Sequence, residues 1–329
     1  MTEALFYEKT DDGRVSCSLC PHHCAGIAEG KTGVCRVRKN VGGKLVSLIY
    51  GRVATVHVDP IEKKPLYHFR PGSSILSIGT WGCNFRCEWC QNWELSQQEV
   101  PTEEVTPDAI AELAGKAGSI GVAYTYNEPS IWFEYVLDCA GKVRAKGLAN
   151  VLVTNGYISP APAARWLPLI DALNVDVKGM DDAFYRRHTG GRLQPVLDAC
   201  VQAKKTSHVE ITNLVIPTLN DTDDHFRKLG KWMAQDLGKE TPLHLSAYFP
   251  RYKLEIDATP EKLLERAFGI CSEYLDYVYV GNAPTSVGRD TRCRSCGATL
   301  VARSGYRVEV KDLRGPRCAR CGGPSDVVA

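Results

Sequence analysis

The sequence predicts an α/β protein built around an incomplete (β/α) barrel, with one four-cysteine module before the barrel and another after it. Between about residues 73 and 281, short apolar segments of strand character alternate with segments of helical periodicity. Several strand segments are apolar over nearly their whole length, as in Ala172–Val177, which is typical of parallel strands covered by helices. Eleven of the fourteen cysteines fall into three short clusters, which indicates metal binding rather than disulfide bonding.

The number of β–α units predicts the barrel. Strands are expected near residues 74–79, 121–126, 150–155, 172–178, 208–217, 243–249 and 276–281. Helices are expected at residues 160–170, 192–205, 225–237 and 261–274. Thr106-Pro107 and Thr259-Pro260 each combine an N-cap residue with a proline suited to the first helical position. Repeated units of this kind predict a complete or incomplete (β/α) barrel, in which catalytic groups lie at the carboxyl ends of the strands.

The chain is long enough for one large domain and smaller modules. We predict an N-terminal four-cysteine metal module at residues 1–45, a β-rich connector at 46–72, the barrel at 73–285 and a zinc ribbon at 286–329. The net charge of +2 implies no broad electrostatic field for nucleic acid or for a membrane. No signal-peptide core and no apolar run of roughly eighteen residues occurs, so a cytoplasmic location without a membrane contact is expected.

The N-terminal module carries its cysteines among glycines and prolines, as in a small segment built from loops. So small a segment has too little core to fold unaided, so a bound metal is expected to stabilise it. Its ligands would be Cys17, Cys20, Cys24 and Cys35. These could close a tetrahedral zinc site or ligate an iron–sulfur cluster; spacing alone does not decide, and zinc is slightly favoured. His22 and His23 are expected at the surface.

The C-terminal module has two C-x2-C pairs separated by twenty-one residues, with the alternating segment 306–310 between them. Two such pairs joined by a hairpin are typical of a zinc ribbon. The predicted ligands are Cys293, Cys296, Cys318 and Cys321. An iron–sulfur cluster or a redox-active dithiol pair is the alternative.

A third cluster follows the first barrel strand, where Cys83, Cys87 and Cys90 have the spacing C-x3-C-x2-C. Cubane iron–sulfur clusters usually take four cysteines, so three on one loop leave one iron open to a small ligand. The alternative is three buried or zinc-binding cysteines. The preceding segment 60–69 is interpreted as a solvated loop, with contact to substrate or cluster as its alternative.

With Trp89 between the last two cysteines, this loop resembles the hallmark C-x3-C-x-aromatic-C of the radical S-adenosylmethionine (SAM) superfamily. The resemblance implies a partial TIM-like barrel, a [4Fe–4S] cluster on Cys83, Cys87 and Cys90, and SAM bound to the open iron. It also implies that Trp89 lies near the adenine of SAM. The expected chemistry is reductive cleavage of SAM to a 5′-deoxyadenosyl radical that takes a hydrogen atom from a substrate.

The resemblance extends to residues at the ends of later strands. Asn127 and Glu128 fall where the family carries a Gly-Gly-Glu motif that contacts SAM, although only Glu128 matches it and a helix-start role is the alternative. Polar side chains near the ribose correspond to Thr154 and Asn155. Asp176 and Lys178 resemble the Asp-x-Lys of glycyl-radical activating enzymes, with a structural ion pair as the alternative.

Nearly the whole chain resembles the radical SAM enzymes of the AmmeMemoRadiSam system, which are similar to pyruvate formate-lyase activating enzyme. The matching segments are 62–69, 82–97, 124–129 and 279–282. This resemblance implies a ferredoxin or flavodoxin-type electron donor and Memo-like and AMMECR-like partner proteins, and it supplies no substrate.

Two alternative functions stay open. The target could be a glycyl-radical protein, although Tyr248-Phe249-Pro250 stands where activating enzymes carry a histidine. The chain could instead be a non-enzymatic zinc scaffold that binds RNA or protein, because the stretch from Arg289 to Arg320 is locally basic.

Overall fold

The computed structural model describes residues 2–329, and it begins with small antiparallel sheets. The strands of this part are β1 (Thr2–Glu3), β2 (Tyr7–Lys9), β3 (Val15–Cys17), β4 (Cys24–Ile27), β5 (Arg38–Val41), β6 (Lys44–Ser47) and β7 (Arg52–Val53). One sheet has the order β1-β6-β5 and the other the order β2-β3-β4. The N-terminal segment is therefore built from short strands rather than from loops, because its backbone groups find partners by local pairing.

The central sheet has eight strands in the order β16-β15-β14-β13-β12-β11-β9-β8. Its strands are β8 (Thr55–Pro60), β9 (Ser74–Gly79), β11 (Gly121–Tyr124), β12 (Ala149–Thr154), β13 (Ala172–Asp176), β14 (His208–Val215), β15 (Leu243–Ala247) and β16 (Val278–Gly281). Strand β10 (Glu103–Glu104) lies outside this sheet and pairs with β7. All neighbours from β9 to β16 are parallel, and only β8 is antiparallel. The predicted strands are confirmed, and since β8 and β16 are the edges, the barrel is incomplete.

Helices connect the strands on the outside. They are α1 (Trp93–Gln97), α2 (Pro107–Lys116), α3 (Phe133–Ala145), α4 (Pro160–Trp166), α5 (Asp182–His188), α6 (Leu193–Lys204), α7 (Asp223–Trp232) and α8 (Glu261–Ser272). Thr106 caps α2 as predicted, since its hydroxyl accepts from the Ala109 amide at 3.2 Å. The same prediction for Thr259 is wrong: its hydroxyl donates to the Val215 carbonyl instead, which ties α8 to β14. Within residues 2–329, no helix combines the length and apolarity needed to cross a membrane.

Successive residues of the central strands face opposite sides of the sheet. On β11, Val122 packs in the large cluster shared with the helices, and Ala123 packs in a smaller cluster inside the barrel. Residues 60–72, which we call the plug segment, complete this inner cluster with Ile61, Leu66 and Phe69. The interpretation of this segment as a solvated loop is therefore wrong, because its apolar side chains fill the amino-terminal end of the barrel.

A buried carboxylate fixes the plug segment. Glu210 of β14 is fully buried and accepts from the amides of Tyr67 and His68 at 3.0 and 2.7 Å. His208 and His244 approach the same carboxylate at 2.9 and 2.6 Å. Burial opposes the charge of Glu210, but the hydrogen bonds from the two histidines outweigh it and lower its pKa well below the usual value. These histidines therefore have structural roles.

The C-terminal module is a hairpin followed by short strands. Its elements are β17 (Thr291–Arg292), β18 (Thr299–Ser304), β19 (Arg307–Val310), β20 (Leu313–Arg314) and β21 (Arg317–Cys318). Arg303 is buried, lies 4.2 Å from the centre of the Tyr67 ring and donates to the Tyr67 carbonyl at 2.6 Å. The module is thus packed against the plug segment, and Arg303 does not belong to the exposed basic surface that an RNA-binding scaffold needs.

His68 of the plug segment holds the end of the chain in place. Its Nδ1 lies 3.2 Å from the Asp326 carbonyl oxygen and its Nε2 lies 2.7 Å from the Tyr279 hydroxyl. A carbonyl can only accept, so Nδ1 carries the proton and Nε2 accepts from the tyrosine. Burial lowers the pKa of His68 to about 3, so the ring stays neutral in the native state.

We expect His68→Gln to weaken the pH dependence of stability. The unfolded state takes up a proton on this histidine below its ordinary pKa of about 6.5, whereas the native state does so only near its pKa of about 3, so stability falls as pH falls between these two values. One such proton corresponds to about 1.4 kcal/mol per pH unit. Urea unfolding at several pH values should show the wild type losing that much more stability per pH unit than the variant. Equal slopes would contradict the assignment, and the exposed His23 supplies the control His23→Gln.

Candidate active site

A cavity of about 670 Å³ lies at the carboxyl ends of the central strands. It brings together every residue that the sequence assigns to the barrel site. These are Cys83, Cys87, Trp89, Cys90, Asn127, Glu128, Thr154, Asn155, Asp176 and Lys178. They come from successive strand ends and the cysteine loop, so the parallel register of the sheet alone brings them to one place.

The cysteine loop leaves β9 through a close approach that only glycine permits. Gly82 has a φ of +92°, and a Cβ there would lie 2.6 Å from a methyl group of Val37. Beyond it, the Cys83 sulfur accepts from the Phe85 amide at 3.3 Å and lies 3.8 Å from the Asn155 amide nitrogen. The Ser96 hydroxyl lies 3.1 Å from the Cys90 sulfur. Such donors stabilise thiolates, the form of cysteine that ligates metals.

Asn84, which the sequence analysis did not single out, anchors this loop. It is almost fully buried. Its side-chain nitrogen donates to the Tyr157 carbonyl at 2.8 Å, and its side-chain oxygen accepts from the side-chain nitrogen of Asn155 at 2.9 Å. The Asn84 carbonyl in turn accepts from His22 at 2.7 Å, so His22 is not the surface residue expected from the sequence. The only available signal for Asn84 was its place between two cysteines of the motif.

Glu128 is buried and organises the neighbouring strand ends. It accepts from the Ser130 amide at 2.9 Å, the Thr154 hydroxyl at 2.7 Å and the Asn155 amide at 2.8 Å. Burial raises its pKa, and these hydrogen bonds oppose the rise. Glu128 thus begins a short 3₁₀-helix, which was the alternative interpretation, and it also holds two other candidate residues in place.

Asn127 links the cysteine loop to the end of β9. Its side-chain oxygen accepts from the Thr80 amide and its nitrogen donates to the Gly82 carbonyl, both at 3.1 Å. The position depends on Tyr126, whose φ of +70° turns the chain at the end of β11. Asn127 therefore sets the angle at which the cysteine loop leaves the sheet.

Asp176 and Lys178 form an ion pair of 2.9 Å at the end of β13, and both reach the cavity. Burial opposes the charge of Lys178, but Asp176 and the nearby Cys87 outweigh it and raise its pKa. Asp176 and Lys178 therefore form an ion pair and also line the cavity, although the sequence offered these two roles as alternatives.

Trp89 is buried against α5, where its ring centre lies 5.6 Å from that of Phe184 and 6.1 Å from that of His188. His188 in turn lies 2.7 Å from the Glu88 carboxylate. The segment between the second and third cysteines is thereby fixed to the helix that follows β13.

The other half of the cavity is lined by Lys64, Tyr67, Tyr126, His244, Arg289, Arg303 and Tyr306. Lys64 and Tyr67 belong to segment 60–69, for which contact with substrate or cluster was the alternative interpretation, whereas the other five residues were not predicted. Lys64 is buried, pairs with Asp59 at 2.7 Å and lies 4.6 Å from the centre of the Tyr126 ring. Burial opposes the charge of Asp59, but hydrogen bonds from Lys64 and Tyr126 lower its pKa well below the usual range. Most of these residues come from the plug segment and the C-terminal module, and no spacing in the sequence connects them.

The cysteines of the two terminal modules differ in spacing. In the C-terminal module, Cys293 lies 3.7 Å from Cys321 and Cys296 lies 3.8 Å from Cys318, measured between sulfurs. One tetrahedral zinc ion with Zn–S bonds of about 2.3 Å sets its sulfurs about 3.8 Å apart, which fits this group. Within residues 2–329, this is the one group of three or more ligand atoms that all lie within 4.8 Å of one another. Neither the N-terminal cysteines nor the barrel cysteines are so closely spaced.

Comparison with known proteins agrees with this site. Residues 77–233 match the family model of the radical SAM superfamily. Over 336 aligned residues the chain is 43% identical to the uncharacterized protein MJ0808 of Methanocaldococcus jannaschii, with 100% of both chains covered.

The chain belongs to the radical SAM superfamily.

Two further similarities are more distant. This radical SAM protein is 26% identical to the pyruvate formate-lyase-activating enzyme of Clostridium pasteurianum over 156 residues, which is 45% of this chain and 64% of that enzyme. The crystal structure of Streptococcus suis SuiB bound to S-adenosylmethionine is 12% identical, covers 64% of this chain and 52% of that one, and has a TM-score of 0.49.

Membership makes this protein an enzyme of the radical SAM type and implies a [4Fe–4S] cluster and SAM as its cofactors. The residues present fit that cluster. Three thiols line one cavity, they are spaced too widely for a single ion, and hydrogen-bond donors approach two of them. The non-enzymatic scaffold is therefore not retained.

We expect Glu128→Gln to destabilise the site. A glutamine places an NH2 group where one of three donors now points, so at least one buried donor loses its partner, at about 1–3 kcal/mol. Urea unfolding should show a loss in this range. The exposed residue Glu103 of β10 supplies the control Glu103→Gln, which should change stability by less than about 0.5 kcal/mol. Equal stability of the Glu128 variant and wild type would contradict the assigned hydrogen bonds.

Proposed function

We propose that this enzyme reductively cleaves SAM and uses the resulting radical to abstract hydrogen from a separate substrate held in the same cavity. The single observation that carries the proposal is that Cys83, Cys87, Cys90 and all the predicted SAM-contacting side chains line one cavity of about 670 Å³. When bound to the three cysteines, the [4Fe–4S] cluster supplies the electron that splits SAM into methionine and a 5′-deoxyadenosyl radical.

The residues of the chain bind, orient and shield the cofactors. The Phe85 amide and the Asn155 side chain place hydrogen-bond donors at the Cys83 sulfur. Asp176 and Lys178 offer a carboxylate and an ammonium group to the charged and polar parts of SAM, and their mutual ion pair lowers the free energy of holding both charges there. Trp89 supplies an apolar surface for the adenine.

The cavity extends beyond the predicted SAM residues, and this extension supports a second ligand. Its far wall carries Lys64 and Tyr126 from one side and His244, Arg289 and Arg303 from the other. We propose that substrate enters beside Gly305 and Tyr306, at the turn of the C-terminal hairpin, where the Tyr306 side chain is 56% exposed.

Further proposals concern metals and partners. The sulfur spacing in the C-terminal module supports a structural zinc ion. We also propose that the enzyme belongs to the AmmeMemoRadiSam group and acts in the cytoplasm with a ferredoxin or flavodoxin-type donor and with Memo-like and AMMECR-like proteins. A glycyl-radical protein is the second candidate substrate, favoured by the similarity to the pyruvate formate-lyase-activating enzyme.

We expect anaerobically reconstituted protein, treated with dithionite and SAM, to form 5′-deoxyadenosine, measured by liquid chromatography. Cys87→Ala should abolish the product because it removes one of three cluster ligands. Cys271→Ala, in α8 outside every cysteine cluster, is the matched control and should retain it. Product formation by the Cys87 variant would contradict the proposal. A glycine-centred radical detected in an added protein would favour the second candidate.

Asp176→Asn is expected to weaken SAM binding without loss of iron. The substitution removes a charge that faces the cavity and leaves Lys178 without its counter-ion, which should raise the Kd for SAM by about tenfold or more, or about 1.4 kcal/mol. Equilibrium binding of SAM to the reconstituted protein, with iron analysis beside it, measures both quantities. Asp198→Asn on the exposed face of α6 is the control. An unchanged Kd in the Asp176 variant would remove this residue from the proposed SAM site.

A further inference from the structure

The four N-terminal cysteines are gathered in one place but are not arranged around a single ion. Cys17 and Cys24 are paired across β3 and β4, and Cys20 lies in the turn between these strands. The amide of Val34, the residue before Cys35, donates to the Cys24 sulfur. No three of their sulfurs lie within 4.8 Å of one another among the described residues, whereas all four sulfurs of the C-terminal module do. A cubane places each ligand sulfur on a different iron and so holds the sulfurs farther apart than one ion does.

Hydrogen-bond donors point at two of the four N-terminal sulfurs. The Val34 amide donates to Cys24 at 3.4 Å, and the buried guanidinium of Arg38 donates to Cys17 at 3.6 Å. The Phe85 amide approaches Cys83 of the barrel loop in the same way. N–H donors of this kind, together with nearby positive charge, stabilise thiolate ligands and tune iron–sulfur clusters.

The N-terminal module lies directly against the barrel cysteine loop. The Cys35 carbonyl would be 3.1 Å from a Cβ at Gly82, the residue before Cys83. On the other side of Cys83, the Asn84 carbonyl accepts from His22 at 2.7 Å.

A third contact involves Arg36, which follows Cys35 in the sequence. Its guanidinium donates to the Ser96 carbonyl, and the Ser96 hydroxyl lies beside the Cys90 sulfur at 3.1 Å. The two groups of cysteines are therefore connected by hydrogen bonds at two points and by a close backbone approach at a third.

We propose that Cys17, Cys20, Cys24 and Cys35 ligate a second [4Fe–4S] cluster, which passes electrons to the cluster in the barrel. The relay role rests on the proposed function, whereas the cluster itself does not. A low-potential one-electron donor of the ferredoxin or flavodoxin type reduces the N-terminal cluster by one electron. That cluster is reoxidised when it transfers the same electron to the barrel cluster, so no further reactant is consumed.

The difference in exposure among the four cysteines indicates where an electron enters the N-terminal cluster and where it leaves towards the barrel cluster. Cys20 and Cys24 are partly exposed, which suits the arrival of an electron from a protein donor. Cys17 and Cys35 are buried, and Cys35 is the ligand whose backbone approaches the barrel loop. The slight preference for zinc that the cysteine spacing suggested is thus replaced by an iron–sulfur cluster.

Iron and zinc analysis of the full-length protein, purified and reconstituted without oxygen, tests the cluster. Wild type should hold about eight irons per chain, and the double variant Cys20→Ala/Cys24→Ala about four. The variant Cys87→Ala/Cys90→Ala should also hold about four, which shows whether the N-terminal cluster forms independently. About four irons in wild type, with loss of zinc alone in the N-terminal variant, would overturn the proposal.

The same variants separate this proposal from the proposed function. If the N-terminal variant lost all iron and the barrel variant lost none, the second cluster would stand and the radical SAM site would fail. Gly33→Ala provides a milder change, because its Cβ would lie 3.2 Å from the Cys24 sulfur while the four cysteines remain. We expect it to shift the electron paramagnetic resonance signal of the reduced N-terminal cluster. An unshifted signal would count against ligation by Cys24.

Spectroscopy and kinetics test the relay. Dithionite-reduced wild type should show two resonance signals, of which SAM alters only one, and Cys20→Ala/Cys24→Ala should keep the SAM-sensitive signal alone. In that variant the rate of SAM cleavage with reduced flavodoxin, divided by the rate with dithionite, should fall at least tenfold relative to wild type. An unchanged ratio would overturn the relay, and retention of both signals would overturn the cluster.

Discussion

The buried carboxylate of Glu128 is the interaction on which the active site depends. It joins the end of β11 to the end of β12 by accepting hydrogen bonds from Ser130, Thr154 and Asn155. The side chain of Asn155 donates to Asn84 and approaches the Cys83 sulfur. The position of the Glu128 carboxylate therefore helps to determine the position of the first cysteine of the loop. A buried charge is stable only when such donors surround it, so the same constraint that permits Glu128 also makes the site rigid.

The cavity is completed by parts of the chain that lie outside the β–α repeats. The plug segment fills the amino-terminal end of the barrel with apolar side chains, and Glu210 fixes it from β14. The C-terminal module then packs on that plug through Arg303 and reaches the cavity with the turn at Gly305 and Tyr306. A barrel that is open between β8 and β16 thus obtains part of its cavity wall from the C-terminal module, so the shape of the cavity depends on the folding of that module.

The N-terminal module has a comparable relation to the cysteine loop. Gly82 allows the backbone at Cys35 to approach the loop closely, and His22 and Arg36 bind backbone carbonyls on the loop and just beyond it. All three groups of cysteines therefore lie in or beside one site. One group lines the cavity, one belongs to the module that contacts the cysteine loop, and one belongs to the module that supplies part of the cavity wall. The geometry of the site therefore depends on contacts between the modules and the barrel as well as on contacts within the barrel.

The sequence by itself determined the barrel strands, the three groups of cysteines and the side chains at the carboxyl ends of the strands. These features are local: strand character, cysteine spacing and the residue after a strand can be read within a few positions, and a parallel register then brings the strand ends together. Only the tertiary structure decided that residues 60–72 enter the barrel, that Arg303 is buried, and that Asn84 holds the loop. Each of these depends on a partner more than sixty residues away, such as Glu210 for the plug segment or Tyr157 for Asn84. Long-range packing of this kind leaves no periodic trace in the sequence, because it is set by which surfaces remain apolar or unpaired once the local elements have formed.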